Sequence, residues 1–128
     1  MLVTSIPQYI QGLTNAKVDL TTTTATVLYT TPSETDFNTS IVSSILVSED
    51  SGNADTITVT ITNTADAVFS LFKVKAVAAN TTIELLTRDL ILQSGDIIKV
   101  TAATANRLHV VASIQELSKT RISTSAVL

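Results

Sequence analysis

DTITVTITNT, residues 55–64, is the stretch on which the fold turns. Ile57, Val59 and Ile61 alternate there with Thr56, Thr58, Thr60 and Thr62. A period of two puts the aliphatic set on one face of an extended chain and the hydroxyls on the other. Both residue kinds are β-branched and suit a pleated surface, so the stretch reads as a half-buried strand. Just upstream, SEDSGNAD (48–55) supplies Asp50, Ser51, Gly52 and Asn53, which are turn formers. Before that turn, SIVSSILVS (40–48) sets Ile41, Ser43, Ile45 and Val47 on one side and Val42, Ser44, Leu46 and Ser48 on the other. The spacing predicts a hairpin joining 40–48 with 56–63.

The same grammar extends outward. KVDL (17–20) and ATVLYTTP (25–32) read as short strands around the run Thr21 to Thr24, with Pro32 ending the second. In AVFSLFKVKAV (67–77), Val68, Leu71, Phe72 and Lys75 have helical spacing, but Phe72, Val74 and Ala76 alternate with Lys73 and Lys75, which favours a strand. TIELLT (82–87) and LILQ (90–93) follow, separated around Arg88 and Asp89; SGD (94–96) turns the chain into IIKVTA, and TAN (104–106) into RLHVVASIQEL (107–117). About eight short antiparallel strands with turns every eight to twelve residues predict an all-β chain, a single-domain β-sandwich or jelly roll. At 128 residues the chain has material for one core.

The expected organisation is an N-terminal arm over 1–16, the sandwich over 17–118 and a C-terminal tail over 119–128. The arm carries Leu2, Val3, Ile6, Tyr9, Ile10 and Leu13 without a clean period, interrupted by Pro7 and Gly12. It is read either as a segment that docks on another subunit or as an edge strand of the same domain. As a docking arm, its contacts would be Leu2, Val3, Ile6, Tyr9 and Ile10. The tail, rich in Ser and Thr with Lys119 and Arg121 as its charges, is a free end or an interchain strap.

Composition excludes several chemistries. The net charge is −3 and the eight Lys and Arg residues never form a run, so no phosphate-tracking surface is expected. There is no Cys and one His, which removes thiolate sites and the zinc patterns. Three isolated glycines make no phosphate cradle. Glu49, Asp50, Asn53 and Asp55 lack the order of a calcium loop and read as a solvated turn. Glu34 and Asp36, beside Pro32, read as loop rather than as a carboxylate pair for glycoside chemistry. Tyr9 and Tyr29 are the only tyrosines and Trp is absent, which weakens a sugar-binding reading. No enzyme, cofactor or metal is expected. MLVTSIPQYIQG has no basic region leading into an apolar core, and no apolar run approaches the roughly 18 residues of a membrane span, so no membrane association is expected.

His109 lies in the last strand. Leu108, Val110 and Ala112 share one face of it; Arg107, His109, Val111 and Ser113 share the other. Apolar residues on both faces predict a strand that is central in its sheet or covered by a neighbouring subunit. The imidazole is expected to bond a backbone or hydroxyl partner.

VDLTTTTATVLYTTP, VSSILVSEDSGNADTITVTI and IELLTRDLILQSGDIIKVTAATANRLHVVASIQEL together resemble small all-β virion proteins of tailed bacteriophages, over roughly residues 17 to 118 and most densely from 83 to 117. The phrase that carries the likeness is Ser94-Gly95-Asp96, an Ala-rich turn, and the strand at 108–113. The resemblance implies a structural protein of the particle, made in the host cytoplasm. Its place there would be as a capsid decoration (cement) protein, or as a neck, tail or fibre component. It further implies a homo-oligomer, most often a trimer, with the major capsid protein or other virion proteins as partners. A host-surface binding module is the remaining alternative.

Overall fold

The computed structural model describes residues 9–33 and 37–118, with side chains for 12–33 and 39–118. Nine strands are present among them: β1 Tyr9–Asp19, β2 Thr26–Thr30, β3 Phe37–Glu49, β4 Asp55–Thr62, β5 Val68–Val77, β6 Thr81–Glu84, β7 Leu90–Gln93, β8 Ile97–Ala102 and β9 Leu108–Ser118. They form a five-stranded sheet, β1-β9-β3-β6 with β7 also on β3, and a four-stranded sheet, β2-β8-β4-β5. Every pairing is antiparallel.

The pairings nest. β4 pairs β5, β3 pairs β6 and β7, β2 pairs β8, and β1 pairs β9, as in one long ribbon folded back at the β4–β5 turn. Rolling that ribbon brings β3 against β9 and β4 against β8, which closes the two sheets over each other. This is the connectivity of a jelly roll. Val42, Ile45 and Val47 of β3 and Val110, Ala112 and Ile114 of β9 meet Ile57 and Val59 of β4 and Ile98 and Val100 of β8 in one cluster. Each is at most 2% exposed. With aromatics at 4% of the chain, this core is aliphatic, and each buried Val, Ile or Leu contributes roughly 1.5–3 kcal/mol.

The hairpin expected between 40–48 and 56–63 does not form: β3 and β4 lie in opposite sheets. Their aliphatic faces enter the same core from opposite sides, so residues 50–54 cross between sheets. Glu49, 1% exposed, organises the crossing. Its carboxylate accepts the N–H groups of Ser51 (2.8 Å), Gly52 (3.1 Å) and Asn80 (3.0 Å), together with the Ser51 hydroxyl. Asp55 accepts the Thr104 N–H at 3.0 Å, tying the β8–β9 turn to the same corner.

The boundary expected at residue 17 also moves. Residues 9–16 are the first part of β1 and pair β9 from Tyr9↔Ser118 to Ala16↔Ala112. The edge-strand alternative therefore describes 9–16, and residues 1–8 and 119–128 lie outside the described residues. A register shift between Ile10 and Gly12 flips the parity of the strand, which is why its sequence lacks a clean period.

β4 alternates as read only as far as Thr60; Ile61 is half-buried and Thr62 buried. β5 is a strand, as expected, but shifts register twice against β4 and holds Val74 at φ +53°. The Val74 N–H donates to the Thr58 hydroxyl at 3.0 Å. β6 and β7 are one interrupted strand. β3 pairs β6 over Leu46 to Glu49 and β7 over Thr39 to Val42. In the gap, Ile45 donates its N–H to Glu84 Oε2 (2.8 Å) and accepts the Leu85 N–H (2.9 Å). Desolvation pushes the Glu84 carboxyl upward, but the Ser44 hydroxyl and the backbone N–H groups of Ile45, Leu86 and Leu85 hold it below its ordinary range.

Candidate interaction surface

Tyr9 and Ile10, two of the expected docking contacts, belong to β1, where they pair Ser118 and Leu117. Leu2, Val3 and Ile6 lie outside the described residues, as do Glu34 and Asp36.

β9 lies between β1 and β3, so His109 is on a central strand. The partners of its ring are carboxylates rather than the backbone or hydroxyl group expected. Nε2 is 3.2 Å from Asp19 Oδ1, and Nδ1 is 3.6 Å from Asp50 Oδ1. The register explains the first contact, since Asp19 is directly opposite His109 across the β1–β9 ladder. The two ring nitrogens address different carboxylates, so the three groups do not converge on a point. Among the described residues no set of three such side chains could hold a metal ion. The side chains are 42–69% exposed, and an ion pair that open contributes at most about 1 kcal/mol.

The outer face of the five-stranded sheet is built in rows. Asp19, His109, Ser48 and Thr82 make the first, and Lys17, Val111, Leu46 and Glu84 the second. Asn15, Ser113 and Ser44 make the third, and Leu13, Gln115, Ile41 and Ile91 the fourth. Val111 and Leu46 of the second row and Leu13, Ile41 and Ile91 of the fourth thus flank an all-polar third row. A trough of about 370 Å³ runs along the polar row between Leu13, Asn15, Ser43 and Ser113. Leu13 is 76% and Ile91 65% exposed.

A second apolar region follows the margin where the interrupted β6–β7 strand passes β5. Leu71, Phe72, Leu86 and Leu90 line a groove of about 300 Å³ with Arg88 and Asp89 beside them. Val68, Phe69 and Val74 of β5 stand exposed nearby along the same strand. Side chains of this kind can bind another apolar surface, with the surrounding Lys, Arg and Asp residues forming a hydrated rim.

Sequence reading missed these positions individually, though it carried a signal. The stretch 67–77 fits neither period cleanly because apolar residues fall on both of its faces, as happens when one apolar face is not spent on the core. No family model matches the chain, and no curated protein matches it.

Proposed function

We propose that this protein is a structural component of a tailed-phage particle, a decoration protein that binds the assembled head shell through the major capsid protein. The reading begins from the resemblance of residues 17 to 118. The observation that carries it further is the apolar surface the fold leaves uncovered. Leu13, Val27, Leu46, Val68, Phe69, Val74, Ile91 and Val111 are 36–76% exposed although the core is full. In a jelly roll with 15% charged residues, such surface is suited to burial against other subunits. A protein that binds the closed shell better than its free subunits stabilises the shell by mass action, with no active site needed.

The test is co-sedimentation of the purified full chain with empty heads of the phage that encodes it, followed by heating of the heads with and without it. Saturable binding and a higher disruption temperature are expected. Heads that neither bind the chain nor gain thermal resistance would overturn the reading, as would imaging of a labelled chain at the neck or tail alone. Residues 9–12 are strand, so the deletion that tests the docking arm is 1–8. It should remove binding while leaving the fold intact.

A further inference from the structure

Among the described residues both sheets end in edges that no further strand pairs, and such an edge presents backbone N–H and C=O groups that another strand can complete. The edges here differ. β5 shifts register twice, holds Val74 in the left-handed region and carries Lys73 and Lys75. β2 has five residues with a shift between Val27 and Tyr29, and β6 and β7 have four residues each. These are the features by which edges are blunted. β1 has eleven residues and keeps an unbroken register with β9 from Gly12 to Asp19.

Its backbone direction follows from one bond. Leu20 donates its N–H to the Leu108 carbonyl. In an antiparallel ladder, alternate residues bond the same neighbour. Thr14, Ala16 and Val18 therefore point their backbone groups at β9, while Leu13, Asn15, Lys17 and Asp19 point theirs at the open side.

We propose that this edge pairs with β1 of a second copy of the chain, antiparallel across a two-fold axis at Asn15. Charge and length select that register. An axis at Lys17 or Asp19 would set like charges directly opposite each other, which is unfavourable. An axis nearer the start would run the ladder through the Ile10/Gly12 shift. An axis at Ala16 would put the Asp19 carboxylate opposite Leu13. Centred on Asn15, the pairing spans 12–18, clear of that shift, the two Asn15 amides can donate to each other, and Leu13 faces Lys17 of the second copy. The aliphatic stem of that lysine covers the most exposed apolar side chain of the sheet. The fourth row of one copy then runs into the second row of the other, with the Lys17 stem between Leu13 and Val111.

The pairing stands or falls independently of the virion reading. Light scattering of the full chain on a sizing column, at neutral pH and two concentrations, should give twice 13.5 kDa. Asn15→Pro removes an N–H on the open side without touching the β1–β9 bonds, a position where an edge strand accepts proline. It should give the single-chain mass with an unchanged far-UV circular dichroism spectrum. If that variant does not fold, Asn15→Cys decides: the chain has no cysteine, so mild oxidation should yield a covalent pair at this position and none with Ser70→Cys on β5. A single-chain mass would overturn the pairing, as would the trimer implied by the resemblance. So would a two-copy mass that survives Asn15→Pro in a folded protein, or equal cross-linking at 15 and 70.

Discussion

Glu49 is a buried side chain, and it stays charged because the turns around it are built to meet it. Burial alone would raise its carboxyl; hydrogen bonds from the Ser51 hydroxyl and from the N–H groups of Asn80, Ser51 and Gly52 outweigh that and hold it at about 2, against an ordinary 4.5. The folded value lies below the unfolded one, so the stabilisation is complete above about 4.5 and is lost as pH falls toward about 2. Glu84 is shifted the same way and adds to the loss over the acid range. Urea midpoints measured from pH 6 downward should therefore fall steeply for the wild type. Glu49→Gln should start lower and fall less, because one of the titrating groups is gone. Val74 is the opposite case, a residue at odds with its backbone. A β-branched side chain at φ +53° costs roughly 1–3 kcal/mol, and its 60% exposure returns little burial in exchange. Asn tolerates this region, so Val74→Asn should raise stability by about 1 kcal/mol, read as a higher denaturation midpoint at unchanged slope.

Among the elements, β4, β8 and β9 were legible because each has one face in the core and one outside, and a period of two reports that directly. β8 buries Ile98, Val100 and Ala102, and β9 buries Leu108, Val110 and Ala112 in alternation. What the period cannot report is the neighbour. SIVSSILVS and DTITVTITNT separated by a short polar link suit a hairpin or a crossing between sheets equally well, and the choice falls to Glu49 and the long-range pairing of β3 with β9. β1 hid for a different reason, the shift at Ile10/Gly12. SGD forms the turn its composition predicts, but nothing in the sequence indicates what that turn packs against. Gly95 has φ +81°, and a methyl group placed on it would collide with the Thr64 methyl of the β4–β5 turn. Gly95→Ala should therefore cost about 2–3 kcal/mol, from left-handed backbone strain and the clash together. Adding Thr64→Ser removes the colliding methyl and should recover only part of the loss in a denaturant titration. Full recovery would mean that the backbone conformation contributes nothing.

At the scale of the whole molecule, the class of fold follows from composition and pattern, whereas the apolar outer surface does not. Ile41 and Ile45 look alike in sequence, yet one is on the outer face and the other in the core, because the register shift between Val42 and Ser44 separates them. The aliphatic core holds the sheets together without direction, and one polar bridge adds direction. Tyr29 of β2 reaches across to β3 and β9, its hydroxyl 2.8 Å from Ser40 Oγ and donating to Glu116 Oε2 at 2.5 Å. Burial, and then the Glu116 carboxylate beside it, hold the phenol proton on well above the usual range. Ser40 is fully buried, so removing the tyrosine hydroxyl leaves polar groups of the opposite sheet without a partner they were positioned to use. Tyr29→Phe should cost about 1–3 kcal/mol. Glu116→Gln should cost less, since an amide oxygen can still accept the bond. If the bridge couples the sheets, the double variant will be more stable than the sum of the single losses predicts by at least about 0.5 kcal/mol, with all variants unfolding in one transition. Simple additivity would assign the loss to the bond between the Tyr29 hydroxyl and Ser40 rather than to the one with Glu116, and a split transition would mean that the two sheets do not unfold as one unit.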